Sequence, residues 1–482
     1  MNSKKSAEKQ SEDLSKFLKK NDIITTDNKI LYEISQKILG DSATKQCQRL
    51  SEIIEYGVAF HHSGLKSNQR ELIEDEFRNN NIKIIFSTPT LAAGINLPAY
   101  RAIIQSVKRF NGISGRQEYI PTLEYLQMAG RAGRPDFEEK IGEAIIVVGN
   151  EKEDLLIDKY IFGVAEDISS KLGVEPILRF QMLSVTTFIN DFEEIKKFFL
   201  NTFYGYQFGD EEYLEFMLRR IINNLKDFEL IEEEENKINQ TILGNLISKL
   251  YIDPITSNKF VNFIKKYKED PDNLIDFSLL QIICNTFEMR PFLNIKDKNI
   301  FSDYYNEYEE NLYQEVPDVF EVEFDDYFKS FNVACVLYEW INEQKEDYLM
   351  EKYGITPGDL NNKLYNGDWV LYSLQEISRL YDEKELYKKI DVLRKRLKYG
   401  IKEELIKLVE LKNIGKIRAR KLFNEGIKTQ KDIEEKSEIV VRIIGEKNTE
   451  KITKKPLSFE EKKEKKEKKK KEKNQSTLFD FN

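Results

Sequence analysis

A parallel α/β lobe followed by mainly α domains is the fold class predicted for this 482-residue sequence. Three observations predict it. Short β-rich runs alternate with helical stretches up to residue 150, helical patterns take over beyond it, and a lysine/glutamate run closes the chain.

In the first 150 residues, Ser3 is placed to cap a helix running through Leu18, with Leu14, Phe17 and Leu18 on one face. Residues 57–60, 82–86, 102–107 and 144–148 read as buried strands. The sequence starts at a helix cap with no apolar strand before it, so the lobe's opening strand is expected to be missing. Residues 155–251 predict several short amphipathic helices, with a strand-and-turn wing at 241–244. Longer helices dominate residues 255–398, and 338–353 and 368–381 are the clearest of them. Residues 405–444 read as a compact group of short helices, and 451–474 as a solvated helix or disordered tether. No internal repeat is visible.

Apolar residues make up 40% of the chain and aromatics 12%, enough for sizeable cores. No apolar run reaches the ~18 residues of a membrane span, and residues 1–20 lack a signal-peptide core. Cys47, Cys284 and Cys335 are odd in number and scattered, and the only histidines are the adjacent His61 and His62. Neither a disulfide framework nor zinc spacing is present, so no metal site is expected and a reducing cytoplasm is the plain reading.

The net charge of −9 is unevenly spread. Residues 451–473 hold twelve lysines and five glutamates, a local +7, which leaves the rest near −16. Residues 301–330 hold ten acidic side chains against the single base Lys329. That stretch repels a phosphate backbone, so nucleic acid must pass over other surfaces.

The strongest chemical signal is Gln127-Met128-Ala129-Gly130-Arg131-Ala132-Gly133-Arg134-Pro135. Two guanidinium groups three residues apart fit a transferring phosphoryl group, whose oxygens match their planar forks. The small residues between let other backbone approach closely. By itself the run also reads as a surface Arg-Gly turn. A second signal follows the predicted strand 82–86: Ser87-Thr88-Pro89-Thr90-Leu91-Ala92-Ala93-Gly94-Ile95-Asn96-Leu97-Pro98. Loops at the carboxyl ends of parallel strands are where ligands dock. Thr88 and Thr90 offer hydroxyls and Gly94 allows close approach to a sugar-phosphate chain. Upstream, His61 and His62 in Val58-Ala59-Phe60-His61-His62-Ser63-Gly64-Leu65 read as structural or phosphate-contacting rather than metal-binding.

These three blocks, in this order, resemble the second RecA-like lobe of the Ski-two-like superfamily-two helicases, with residues 88–98 as motif V and 127–134 as motif VI. More narrowly, the chain is similar to the archaeal repair helicases related to human helicase Q and the helicase region of polymerase theta. The similarity extends from residue 1 to about 452. It implies a second RecA-like lobe (1–150), a winged helix (151–251), a helical ratchet domain (252–398) and a helix–hairpin–helix domain (399–450). Carried over, Arg131 and Arg134, with Gln127, act on the ATP γ-phosphate. Thr88, Gly94, Asn96 and Gly130 couple nucleotide to nucleic acid, and translocation runs 3′ to 5′.

Between the motifs, Asn111-Gly112 is a hairpin turn signal, though the loop could be longer than two residues. In the resembling helicases a hairpin here wedges the duplex apart, with Phe110 or Tyr119 stacking on the last base pair and Lys108 and Arg109 holding phosphate. A plain surface hairpin is the equal alternative. Trp369 sits on an amphipathic helix where a core position is the default. The family stacks a tryptophan there on single-stranded bases, worth ~1–3 kcal/mol. An arginine two turns earlier is replaced here by Asn362 and Lys363. Leu411-Lys412-Asn413-Ile414-Gly415-Lys416-Ile417-Arg418-Ala419-Arg420 resembles a helix–hairpin–helix. Gly415 permits the tight turn, and amides at the next helix start face phosphate, helped by Lys416, Arg418 and Arg420. The usual first glycine is Asn413, and a plain helical pair is the alternative. Gln475, Leu478 and Phe481 resemble the peptide that docks on a PCNA-type sliding clamp, with residues 451–474 as its tether.

No Gly-x-x-x-x-Gly-Lys-Ser/Thr loop and no metal-holding Asp-Glu box occurs; Asp75-Glu76-Phe77-Arg78 lies in a helical stretch. ATP and Mg²⁺ are therefore expected to be bound mainly by another lobe. That lobe would be a separate N-terminal chain, or absent through a misplaced start, frameshift or degraded copy. The leading expectation is the C-terminal portion of an ATP-dependent DNA helicase acting on single-stranded and forked DNA in repair. A non-catalytic, clamp-tethered DNA-binding module and an RNA-processing helicase of the same wider group are the alternatives.

Overall fold

The computed structural model describes all residues except 24, 41–43, 93–96, 112–115, 134–140, 150–152, 236, 294–298, 319, 322 and 454–482, and the side chains of 92, 110 and 111. The chain divides into two compact units. One comprises Met1–Pro254 with Glu346–Tyr365, the other Ile255–Lys345 with Asn366–Asn482.

The first unit opens with α1 (Lys4–Lys20), where the Ser3 hydroxyl accepts the Ser6 N–H as the sequence predicts. Then come α2 (Asn28–Leu39), α3 (Lys45–Ile54), β1 (Val58–His61), α4 (Ser67–Arg78) and β2 (Ile84–Ser87). Next follow β3 (Arg101–Ile104), β4 (Lys108–Asn111), β5 (Arg116–Tyr119), α5 (Thr122–Ala129) and β6 (Glu143–Ile146). β1 pairs in parallel with β2, Val58 opposite Ile84, and β3 in parallel with β6, Arg101 opposite Glu143. Each of the four expected strands is present, but the burial expected of them holds throughout only for β1: Ile84 of β2, Ile103 of β3 and Ile145 of β6 are exposed. Leu31, Ile34, Leu50, Ile54, Phe60 and Ile73 pack around β1 as a core. A second cluster joins Ile104, Val107, Ile120, Tyr125, Leu156 and Tyr160.

The unit continues through α6 (Glu153–Leu156), a π-helical turn (Ile157–Ile161), α7 (Glu175–Val185), α8 (Phe192–Leu200), α9 (Phe203–Phe208) and α10 (Glu211–Asp227). β7 (Ile231–Glu234) and β8 (Lys237–Gln240) form an antiparallel hairpin before α11 (Ile242–Leu250). This corrects the wing expected at 241–244. Thr241 caps α11 instead, its hydroxyl accepting the Gly244 N–H at 3.0 Å, so the strands fall just upstream. Gly244 is required where it stands, because a Cβ there would lie 1.9 Å from the Leu230 carbonyl oxygen.

The second unit begins in α12 (Pro254–Glu269) and α13 (Asp276–Cys284), with every residue from Phe277 to Cys284 buried. α14 (Asn299–Tyr308) and α15 (Glu323–Ile341) surround Phe277, whose ring centroid lies 4.8 Å from Tyr308 and 5.3 Å from both Phe331 and Tyr338. The stretch 338–353 is not one helix, as its pattern suggested. Glu343 takes a left-handed φ of 70°, and the Gln344 N–H turns back to the Glu339 carbonyl. α16 (Glu346–Tyr353) then starts afresh.

α16 and the start of α17 (Pro357–Leu380) belong to the first unit, where Lys4 pairs with Asp359 at 2.6 Å and Lys66 with Glu346 at 2.8 Å. In the second unit, α18 (Lys384–Tyr399) ends at Gly400, φ 64°, where a Cβ would lie 2.5 Å from the Trp340 ring. The expected group of short helices follows: α19 (Ile406–Val409), α20 (Lys416–Asn424), α21 (Gln430–Glu435), α22 (Ser437–Ile444) and α23 (Glu446–Thr453). They share a core of Leu405, Leu408, Ala419, Leu422, Ile433 and Val440. Among the described residues no helix is long and apolar enough to cross a membrane.

Candidate functional site

β2 runs out at Ser87, and Thr88 follows it into a buried position, 9% exposed. Its N–H donates to the His61 carbonyl at 3.2 Å, and its hydroxyl lies 2.9 Å from that of Thr90. A 3-10 turn (Pro89–Ala92) leads on; Gly94 and Asn96 lie outside the described residues. The chain re-enters the core at Leu97, and Ala99 then bridges in parallel to Ala132. The Ala99 N–H donates to the Arg131 carbonyl and the Gly133 N–H to the Ala99 carbonyl, each at 2.8 Å. Backbone hydrogen bonds thus stitch the exit of the Thr88 loop to the arginine turn. No spacing in the sequence announces that contact.

α5 delivers the arginine turn. Gln127 is exposed near its C-terminal end, and Gly130 caps it, donating its N–H to the Leu126 carbonyl at 2.8 Å. Arg131 is half-buried just beyond; Arg134 lies outside the described residues. The close backbone approach expected of the small residues is realised at Gly133, which sits at φ 102°. A Cβ on Gly142 would come within 2.1 Å of the Gly133 nitrogen.

β4 and β5 form the expected hairpin, with Asn111 opposite Arg116, so four residues (112–115) separate the strands rather than two. The Lys108 ammonium stands over the Tyr119 ring at 4.8 Å, and Arg109 pairs with Glu124 of α5 at 3.0 Å. Nothing is described of the Phe110 side chain. Beneath the hairpin, the Tyr160 hydroxyl donates to the Ile120 carbonyl at 2.9 Å and lies 3.4 Å from that of Val107. Burial pushes the Tyr160 phenol up to about 12. The Glu166 carboxylate accepts the N–H groups of Thr122 (2.6 Å) and Leu123 (3.0 Å) at the start of α5. Those two hydrogen bonds hold its pKa at about 2. Tyr160 and Glu166 were not singled out from the sequence, because their partners are remote along the chain.

Both histidines are structural. His61 Nε2 lies 2.8 Å from Glu74 Oε1, and burial lowers the His61 pKa against the opposing effect of Glu74. His62 Nδ1 accepts the Gly64 N–H, which leaves Nε2 to donate to Glu8 at 3.1 Å. Among the described residues no group of three or more His, Cys, Asp or Glu is placed to hold a metal ion.

In the second unit, Trp369 is half-buried on α17, between Asp368, which pairs with Arg394 at 2.8 Å, and the fully buried Val370. Lys363 is a correction: in the first unit it is 5% exposed and so is not an exposed surface cation. The basic run after Asn413 is also less free than its composition suggests. Arg420 is held between Glu343 and Glu404, with Nε to Glu343 at 2.8 Å, and its pKa rises because of the Glu343 hydrogen bond. Lys416 stands over the Trp340 ring at 4.6 Å and donates to the Gln344 carbonyl at 3.2 Å. Arg418 is exposed and donates to the Asn413 carbonyl at 3.0 Å. The left-handed turn residue is Asn413, at φ 68°, and not Gly415. Gly415 instead caps α20 in extended backbone, and a Cβ there would meet nothing within 4 Å. Gln475, Leu478 and Phe481, and residues 454–474 of the expected tether, lie outside the described residues.

Residues 9–136 match the family described as the helicase conserved C-terminal domain, and residues 277–400 match domain 4 of archaeal helicases. The class is thus a helicase C-terminal, RecA-like domain with small parallel sheets and a mostly helical remainder. The chain is a homologue of the archaeal superfamily-two helicases of the Hel308 type. It is 37% identical over 436 residues to the ATP-dependent DNA helicase Hel308 of Methanocella arvoryzae, covering 88% of this chain and 57% of that one. It is 39% identical over 393 residues to the Pyrococcus abyssi protein of the same name (80% and 53%), and 36% over 441 residues to that of Pyrococcus horikoshii (90% and 59%). The chain therefore spans little more than half the length of these curated relatives.

Proposed function

We propose that this chain supplies the arginine side of the ATP site and the DNA-gripping domains of a 3′–5′ DNA helicase that processes stalled or branched DNA in repair. The observation that carries the reading is the backbone stitching of Ala99 to Arg131 and Gly133. It joins the exit of the loop expected to touch nucleic acid to the turn expected to touch nucleotide, which gives a change at either a direct route to the other.

Arg131, joined by Arg134 and oriented with Gln127, meets the γ-phosphate and neutralises its developing charge. Thr88, Gly94, Asn96 and Gly130 form the coupling segment. No phosphate-cradling Gly-Lys-Ser/Thr loop and no acidic magnesium box occurs in these 482 residues. The residues present fit ATP from the arginine side only, and the cradle and Mg²⁺ come from protein outside them. Lys108, Arg109 and Phe110 form the duplex-facing hairpin. Residues 151–251, with a β-hairpin between α10 and α11, act as a winged helix. Residues 252–398 form the ratchet, with Trp369 stacking on bases. Residues 399–450 act as the helix–hairpin–helix, in which Arg418 and the amides after Gly415 face phosphate. Residues 451–474 tether a clamp-docking peptide at Gln475, Leu478 and Phe481.

The test is complementation. Mixing the chain with a nucleotide-binding lobe from a Hel308 relative restores DNA-stimulated ATP hydrolysis, and Arg131→Ala removes it with DNA affinity retained. Equal rescue by the Arg131→Ala chain rules out the arginine's role. The absent phosphate cradle also favours a second reading, a DNA-binding module without turnover; unchanged DNA affinity with no rescue by any lobe selects it.

A further inference from the structure

We propose that residues 156–166 act as a strap that makes the β4–β5 hairpin and the arginine-bearing helix α5 move as one body, with Glu166 and Tyr160 as its positioning residues. The inference rests on the function proposed for Arg131 and names the device that would tie it to the hairpin.

The strap touches both elements at their shared base. The hairpin closes where the Ile120 N–H donates to the Val107 carbonyl at 2.9 Å, and the Tyr160 hydroxyl reaches the carbonyls of both residues. The Tyr160 ring packs on Tyr125 of α5, with centroids 5.0 Å apart. The Thr122 hydroxyl donates to the Lys159 carbonyl at 3.4 Å. Farther along the strap, past the end of the π-helical turn, Glu166 takes the amides of Thr122 and Leu123. α5 needs this outside carboxylate. Its N-cap is Pro121, which has no side-chain acceptor, and Glu124, the one acid of its first turn, is turned to Arg109 of β4. A carboxylate at a helix N-terminus also compensates the helix dipole.

The far end of α5 is fixed as firmly. Ala132 is bridged to Ala99, directly beyond Arg131. Eight residues of helix form a rod of about 12 Å. One end is clamped to the hairpin base by Tyr160, Glu166 and the Arg109–Glu124 pair, the other to the exit of the Thr88 loop. The strap stiffens the path by which a load on the hairpin reaches Arg131 through this rod, beside the Arg109–Glu124 pair and the chain itself.

Hydrogen exchange on the full chain reads the strap whether or not ATP is ever hydrolysed. Glu166→Ala is expected to speed exchange at Thr122 and Leu123 about fivefold, the usual effect of losing a helix cap. Exchange in residues 108–111 and 116–120 is expected to rise with it, and Tyr160→Phe to raise both regions together. Glu166→Gln, which keeps an acceptor oxygen, restores most of the protection. Faster exchange confined to Thr122 and Leu123 would mean an ordinary cap and would overturn the strap, as would no change at all. In the complemented ATPase, Glu166→Ala is expected to lower kcat severalfold at unchanged KM for ATP, with Glu166→Gln near wild type. Unaltered kcat in the presence of altered exchange rejects the positioning role. If Arg131→Ala itself leaves kcat unchanged, the nucleotide reading fails, while the exchange result still decides the strap.

Discussion

Arg179 and Asp253 form a two-pronged buried ion pair. Nε lies 3.1 Å from Oδ1 and Nη2 2.8 Å from Oδ2, with side chains 6% and 5% exposed. The pair ties α7 to the residue that precedes α12, and Glu175 extends it by contacting both Arg179 and Arg220. Removing one partner strands a buried charge. Arg179→Met is expected to lower the unfolding free energy by about 3–5 kcal/mol, and Arg179→Met with Asp253→Leu to recover much of that loss. Denaturant unfolding of the single and double variants measures it; a single variant within about 1 kcal/mol of wild type would contradict a buried pair.

Gly244 and Gly415 make a contrasting pair of substitutions. At Gly244 a Cβ meets the Leu230 carbonyl oxygen at 1.9 Å, a backbone atom that cannot swing aside. Gly244→Ala is expected to cost about 1–3 kcal/mol or more and to lower the melting temperature by several degrees. Gly415→Ala meets nothing within 4 Å and is expected to leave the melting temperature close to wild type. Its effect should fall on DNA affinity alone, which is expected to drop because the added methyl crowds a phosphate at the α20 amides. Calorimetry beside a binding titration separates the two, and equal destabilisation by both variants would show the packing to be misjudged.

Acid stability is expected to depend on Glu8. Burial pushes its carboxyl up, but hydrogen bonds from His62 and Gln46 and the charge of Arg49 outweigh that, and its pKa falls from 4.5 to about 2. A depressed folded-state pKa means the stabilisation is complete above pH 4.5 and disappears as pH falls toward 2. His61, whose pKa is lowered by burial, adds a loss beginning below its ordinary 6.5. Glu8→Gln is therefore expected to be less stable at pH 6 and to show a flatter decline between pH 4.5 and 2. Parallel melting-temperature profiles for the two proteins would refute the assignment.

Single-stranded DNA affinity is expected to depend on Trp369. Its ring is half-buried, while Val370, Leu371 and Leu374 on the same helix are fully buried and carry the packing. Trp369→Ala should weaken binding by about 1–3 kcal/mol, roughly five- to 150-fold, with Trp369→Phe retaining most of it. Fluorescence anisotropy with a labelled single strand reads the difference. Unchanged affinity together with a large stability loss would make Trp369 a core residue only.

Local pattern alone located much of this molecule. The apolar β-branched runs around Val58, Ile84, Ile103 and Ile145 marked the parallel strands, Ser3 marked the start of α1, and Asn111-Gly112 marked the hairpin. Each is legible because side-chain period and capping act within a few residues of sequence. Position within an element was less legible. The β7–β8 strands end where Thr241 begins a helix, and Glu343 breaks a stretch whose periodicity runs on across it, since both depend on backbone conformation at one residue.

The state of each charged group was decided only when the chain folded. A lysine or arginine in a motif reads as a free cation, yet Lys363 is buried, Arg420 is held by Glu343 and Glu404, and Arg109 by Glu124. The acceptor that caps α5 stands 44 residues from the amide it binds, and the bridge between Ala99 and Ala132 spans the whole hairpin. Coulomb attraction and hydrogen bonding are strong only at contact distance, so their partners follow from the packing of remote segments, which neighbouring residues do not encode.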